Sequence, residues 1–239
     1  MEKTNNETKT AKTQIFNVVI LDQSGSMSSI REAAVSGLNE TIAGIRKAQE
    51  TYADTQDHFF SLVAFCGCEK RKIYDMVPAL EIGPLSAKDY HPCCTTPLYD
   101  AMGFTLNDMR RHVEQLDNAM VVVTIITDGL ENSSREYNGP TVKKLVEELR
   151  REGWTFTYMG ANQDAVEVAF TLSIRNARNF DSDAEGTISC MVKDTETRMN
   201  LYRRIHDYHE SGEMACAPCA ERMESFSKMA DDAFDEIGE

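Results

Sequence analysis

The segment Asp22-Gln23-Ser24-Gly25-Ser26 sets one carboxylate and two hydroxyls at alternate positions. It follows Phe16-Asn17-Val18-Val19-Ile20-Leu21, a run that reads as a fully buried strand. Three hard oxygen donors on a tight turn supply half of an octahedral cage for a small divalent cation. Gly25 lets the backbone bend so that both serines face one point. The same residues also suit an ordinary strand-to-helix turn with Ser as N-cap, and alone they do not separate the two readings. Two later segments weigh toward the cation. Thr96-Pro97 puts a hydroxyl at the start of an apparent helix, where proline's missing N–H would be unpaired anyway. Val121 to Thr127 is a second buried β-branched run, and it ends in Asp128-Gly129.

Asp22, Ser24, Ser26, Thr96 and Asp128, in that order, resemble the metal-ion-dependent adhesion site (MIDAS) of von Willebrand factor type A (VWA) domains. That family includes the integrin inserted domains, and its motif is D-x-S-x-S, then a Thr, then an Asp. The contexts Thr96-Pro97-Leu98-Tyr99-Asp100-Ala101 and Thr127-Asp128-Gly129 are similar to the stand-alone bacterial intracellular branch, as is Tyr158-Met159-Gly160-Ala161-Asn162-Gln163-Asp164. The resemblance spans Gln14 to Asp181. One departure is local: Cys93, Cys94 and Thr95 stand where relatives often carry glycines. Thr95 is a competing hydroxyl, and Thr96 takes the motif position because it directly precedes Pro97.

The resemblance implies that these five residues hold Mg²⁺, with Mn²⁺ or Ca²⁺ able to substitute, as suits hard oxygen donors. Two carboxylates against a dication leave the site formally near neutral, so a partner's Asp or Glu can complete the octahedron. The implied function is a divalent-cation-dependent protein-binding module rather than an enzyme. The alternative is a metal-dependent hydrolase or phosphatase-like enzyme on the same sheet. That chemistry needs a positioned base or a Lys or Arg at the reacting centre. No His or Lys falls at an obvious strand end near the motifs, and Arg31 and His91 read as surface groups.

The elements that must position these donors follow from periodicity. Helical spacing runs from Ile30 to Glu50, through Pro97–Gln115, Thr141–Glu152 and Gln163–Leu172, and along Ala184–Glu210. Strands are expected at His58–Phe65, Lys72–Ile82, Ala119–Thr127, Trp154–Met159 and Ala177–Phe180, with Pro78 marking the second of these as an edge. Strands alternating with helices predict an α/β, Rossmann-like, doubly wound sheet. It is mostly parallel and six-stranded, with one antiparallel edge strand and helices on both faces. Ligands of such sheets bind beyond the strands' carboxyl ends at the topological switch point. The first and fourth strands should be neighbours there.

The expected organisation is a disordered polar leader (1–13), a VWA domain (14–183) and a C-terminal helical extension with an acidic tail (184–239). The 239 residues carry a net charge of −14, which argues against a nucleic-acid or anionic-membrane partner. No apolar run is long enough to span a bilayer, and the first thirteen residues lack a secretory h-region. With seven cysteines, an odd number, these features suggest reduced thiols and a cytoplasmic location.

Two further clusters remain open. His206-x-x-His209 followed by Cys216-x-x-Cys219 offers either a Cys₂His₂ zinc set, and with it a zinc- or thiol-dependent regulator, or a helix end with incidental thiols. Cys66, Cys68, Cys93 and Cys94 should all rim the Asp22 face. They are either small rim-shaping residues or a redox-sensitive or metal-bearing rim.

Overall fold

The computed structural model describes residues 11–161 and 165–238. Residues 1–10 of the expected leader, and Asn162, Gln163 and Asp164, lie outside the described residues. Six strands form one sheet: β1 (Thr13–Asp22), β2 (Gln56–Phe65), β3 (Lys70–Pro78), β4 (Ala119–Thr127), β5 (Thr155–Ala161) and β6 (Asn176–Phe180), in the order β3-β2-β1-β4-β5-β6. All neighbours pair in parallel except β2 and β3. The fold is thus the expected mostly parallel α/β sheet with one antiparallel edge. The sequence places a strand over Lys72–Ile82, interrupted by Pro78. Instead β3 starts at Lys70 and ends at Pro78, and Ala79–Glu81 turns into a 3₁₀ helix, since proline offers no N–H to carry a ladder on.

The direction in which successive strands are added across the sheet reverses between β1 and β4. From β1 the chain steps outward to β2 and β3, and from β4 it steps the other way to β5 and β6. The β1–β4 pair is the switch point, where a doubly wound sheet opens a crevice at its carboxyl edge.

Helices cover both faces. α1 (Arg31–Thr51), α5 (Ala184–Glu210), α6 (Glu213–Cys216) and α7 (Cys219–Ile237) lie on one side, against Ile15, Val19 and Leu21 of β1. α2 (Leu98–Val113), α3 (Gly139–Arg151) and α4 (Ala165–Thr171) lie on the other, against Phe16, Val18 and Ile20. The period of two in β1 divides one apolar run between two cores. No helix among the described residues is long and apolar enough to cross a membrane.

The α5 face carries a buried polar cluster. Asn17 on β1 and Thr124 on β4 interrupt otherwise apolar strands on that side. Arg198 of α5, 3% exposed, reaches both: Nη1 donates to Asn17 Oδ1 (2.9 Å) and Nη2 to Thr124 Oγ1 (2.6 Å). Its Nε donates to Asp194 Oδ2, one helical turn back, at 2.8 Å. The Tyr202 hydroxyl also donates to Asn17 Oδ1. α1 and α5 approach closely because glycines face side chains: a Cβ at Gly37 would lie 2.2 Å from Met191 Sδ, and one at Gly44 2.7 Å from Thr195 Cγ2.

His58, at the start of β2, is 1% exposed. Its Nε2 lies 2.9 Å from Gln56 Oε1, and its Nδ1 has no hydrogen-bond partner. Burial away from water pushes its pKa down to about 3. An unfolded His titrates near ~6.5, so between about 6.5 and 3 the unfolded chain binds the extra proton. Stability from neutral His58 is therefore complete above that window and lost as pH falls through it. Urea unfolding at pH 7 and pH 5 should show the native chain losing about 2 kcal/mol more than His58→Phe. Equal losses would mean that His58 is not held neutral.

Candidate metal centre

Asp22 is the last residue of β1, and its side chain is fully buried. Its Oδ1 accepts from the Ser24 N–H at 2.7 Å, which closes the turn. Its Oδ2 accepts from Thr127 Oγ1 on β4, also at 2.7 Å. The turn after β1 thus fixes one oxygen of this carboxylate and the adjacent strand the other. Tyr90 OH, just after the 3₁₀ turn Ala87–Asp89, donates to the Asp22 carbonyl at 2.5 Å.

Ser24 and Ser26 stand on the turn into the 3₁₀ segment Gly25–Ile30. Ser24 makes no side-chain cap hydrogen bond, so the N-cap reading of the turn does not apply. Ser24 Oγ lies 3.1 Å from Ser26 Oγ, and Ser26 Oγ donates to Asp128 Oδ1 at 2.6 Å. Thr96 is 2% exposed and directly precedes Pro97 at the mouth of α2. Its N–H donates to Asn132 Oδ1 (2.9 Å) and its carbonyl accepts from the Asn132 N–H (3.1 Å), a two-way clamp to the loop after β4.

Gly129 shows how these oxygens converge. A Cβ there would sit 3.2 Å from Thr96 Oγ1, 3.7 Å from Ser26 Oγ and 3.8 Å from Asp22 Oδ2. Oxygens from β1, the 3₁₀ turn and the α2 mouth thus surround one space, and the missing side chain keeps it open. The structure brings all five sequence-expected residues, Asp22, Ser24, Ser26, Thr96 and Asp128, to this one crevice. Burial pushes the Asp22 carboxyl up to about 6, and burial likewise raises Asp128. Two carboxylates held in a partly desolvated crevice lack a counter-charge that a dication would supply. Hydroxyl and carboxylate oxygens suit a hard ion such as Mg²⁺, so the residues present fit the ion.

Much of the support around the donors is not visible in the sequence. Glu131 accepts from Tyr99 N, Ser133 N and Ser134 N at 2.9, 2.8 and 2.7 Å. Asp100 accepts from three consecutive N–H groups, Arg135, Glu136 and Tyr137. These two carboxylates lash the loop after β4 to the start of α2. Arg31 is not a loose surface charge. Its Nε donates to the Tyr90 carbonyl at 2.8 Å, and its Nη2 donates to the Ala87 carbonyl. His91 is exposed, as expected.

The C-terminal His/Cys quartet is not gathered. His206 turns inward: its Nδ1 lies 2.9 Å from Thr55 Oγ1 and its ring packs 5.1 Å from that of Tyr52. Cys216 and Cys219 are exposed. No three of His206, His209, Cys216 and Cys219 offer ligand atoms within 4.8 Å of one another, so of the two readings this geometry favours a helix end with incidental thiols over a zinc set. The helical spacing was right, but spacing does not say which face packs on the sheet.

No known sequence family and no curated protein matches this chain. Solved structures do share its fold. The pilus adhesin SpaC from Lactobacillus rhamnosus GG, in its open conformation, matches with a TM-score of 0.59 at 10% identity, over 81% of this chain and 31% of its own. Proximal thread matrix protein 1 from the mussel byssus, with a zinc-occupied MIDAS motif, matches at 0.55 and 13% identity, over 79% and 46%. The VWA domain of SpRpn10 matches at 0.51 and 10% identity, over 75% and 94%. The chain therefore spans less than half of the byssus protein and under a third of the adhesin. The fold is that of a VWA domain, an α/β sheet with one antiparallel edge strand and helices on both faces.

Proposed function

We propose that this chain is a divalent-cation-dependent protein-binding module. Asp22, Ser24, Ser26, Thr96 and Asp128 hold Mg²⁺, and an Asp or Glu of the partner completes the ion's coordination. The observation that carries the reading is the space over Gly129, ringed by Thr96 Oγ1, Ser26 Oγ and Asp22 Oδ2 at the sheet's switch point. The zinc-occupied MIDAS of the byssus protein supports the choice of a divalent ion for this fold. Leu130, 61% exposed directly after Gly129, adds an apolar contact beside the ion. Arg31 spends its Nε and Nη2 on carbonyls, which favours binding over charge-stabilised hydrolysis.

Gly129→Val is the sharpest test, because it keeps all five donor residues and fills the space between them. Captures from native lysate with Mg²⁺, with chelator, and with Gly129→Val in Mg²⁺ should share no specific partner beyond the first. Identical partners in all three would refute docking through this site. Turnover of generic phosphoesters with Mg²⁺, abolished in Asp22→Ala, would instead establish the hydrolase.

A further inference from the structure

The four rim cysteines come from two loops that the fold presses together. Cys66, Gly67 and Cys68 follow β2 in a turn closed by Cys66 N–H donating to the Glu69 carbonyl at 2.8 Å. Cys93 and Cys94 lie in the loop leading to Thr96. Gly67 N–H donates to the Thr95 carbonyl (2.8 Å), and Cys93 N–H donates to the Gln23 carbonyl (2.8 Å). A Cβ on Gly67 would lie 2.1 Å from Thr95 Oγ1, so the loops meet only because Gly67 has none. Cys94 holds a left-handed backbone, φ 62°, which costs a non-glycine residue about 1–2 kcal/mol.

The sulfurs converge. Cys66 Sγ lies 3.4 Å from Cys93 Sγ, and the Cys66, Cys68 and Cys93 sulfurs all lie within 4.8 Å of one another. Cys94 is disulfide-bonded to Cys68, which puts the fourth sulfur in the same cluster. Among the described residues no other group of three or more His, Cys, Asp or Glu ligand atoms gathers this closely. A tetrahedral zinc with Zn–S bonds of ~2.3 Å separates its sulfurs by roughly 3.8 Å. The cluster spans that range.

We propose that, once the Cys68–Cys94 bond is reduced, Cys66, Cys68, Cys93 and Cys94 form a Cys₄ zinc site that pins the loop before Thr96 to the end of β2. Four thiolates select a soft or borderline ion, so this site and the all-oxygen crevice discriminate between Zn²⁺ and Mg²⁺. The proposal does not depend on what the oxygen site binds. Reduction adds two electrons to the S–S bond. With a water-soluble phosphine, the phosphorus takes the oxygen of one water and becomes the phosphine oxide, and the water's two protons go to the two sulfurs. Zinc binding then releases the thiol protons.

The test uses the full chain, reduced with the phosphine, stripped of metal and titrated with Co²⁺ and then Zn²⁺. The expected result is one equivalent of tetrahedral cobalt with a thiolate-to-metal charge-transfer band, displaced by one equivalent of Zn²⁺. Asp22→Ala and the double variant Cys216→Ser/Cys219→Ser should keep that band, which separates this site from the oxygen crevice and from the C-terminal thiols. Cys68→Ser changes an exposed residue and leaves the core intact. It should weaken zinc binding at least about 100-fold, the upper end of what losing an outer-shell partner costs. Cys93→Ser should do the same. No charge-transfer band in the reduced protein, or unchanged zinc affinity in both serine variants, would overturn the proposal.

Discussion

Replacing Arg198 by Met should destabilise the chain by about 3–5 kcal/mol, the cost of leaving a buried charge without its partner. Arg198 and Asp194 are 3% and 6% exposed at the side chain and lie 2.8 Å apart. Without the guanidinium, Asp194 keeps a charge in the core and Asn17 Oδ1 and Thr124 Oγ1 each lose a donor. The double variant Arg198→Met/Asp194→Leu should recover most of the loss, because it removes both charges and Tyr202 OH still serves Asn17. Chemical unfolding of the two single variants and the double variant measures this directly. If Arg198→Met and the double variant were equally destabilised, the cost would lie in packing rather than in the unpaired carboxylate.

Asp22→Asn should move stability in opposite directions with and without metal. In chelator at pH 7.5 the native carboxylate is charged although burial has pushed its pKa to about 6 from the ordinary 3.8. A raised carboxylate pKa means the folded state holds the proton more tightly, so stability falls as pH rises from about 4 to 6 and stays reduced above. Asparagine removes that charge. About two pKa units correspond to roughly 3 kcal/mol. About 1 kcal/mol is then lost, because asparagine keeps one accepting oxygen and its amide nitrogen, a donor only, leaves either Ser24 N–H or Thr127 Oγ1 without its acceptor. The metal-free variant should therefore be about 2 kcal/mol more stable than the native chain at pH 7.5 and no more stable at pH 4. With Mg²⁺ at 100 times its Kd the native chain gains ~2.7 kcal/mol and the variant gains nothing. A variant that is less stable in chelator, or that still responds to Mg²⁺, would contradict this account.

Asp22 and Asp128 stand out as candidate donors because each follows an apolar run, and a strand's end shows in its composition; Ser24 and Ser26 follow in the same turn, and Thr96 is marked by the Pro97 at the start of α2. The switch point followed from the alternation of strands and helices. What stayed hidden depends on three-dimensional pairing. Asn17 and Thr124 are single polar residues in β-branched runs, and nothing in the sequence pairs them with Arg198, more than seventy residues beyond the nearer one. Glu131 and Asp100 look like surface acids, yet Glu131 accepts from two N–H groups of its own loop and from Tyr99 N–H at the start of α2, and Asp100 accepts from three consecutive N–H groups of the loop after β4. His206 and His209 fall at helical spacing, but the direction in which α5 packs turned His206 to Thr55. Pro78 marks β3 as an edge in the sequence, and it is also the strand's last residue.

The close seating of α5 on α1 also governs the order in which this protein can mature on the ribosome. Thr41 and Thr195 touch at 3.3 Å across 154 residues of chain. At elongation rates of about 5–20 residues per second, roughly 8–30 s separate their synthesis. Throughout that interval the glycine-lined groove of α1 and the polar spots at Asn17 and Thr124 await a helix that has not yet been made. The sheet can pair early and α1 can cover part of this side, but the ground that α5 to α7 occupy stays open until nearly the whole chain has emerged. A nascent chain stalled before Ala184 would therefore present an incompletely covered sheet around Ile15, Met120 and Val122, a natural substrate for chaperones that hold apolar surface.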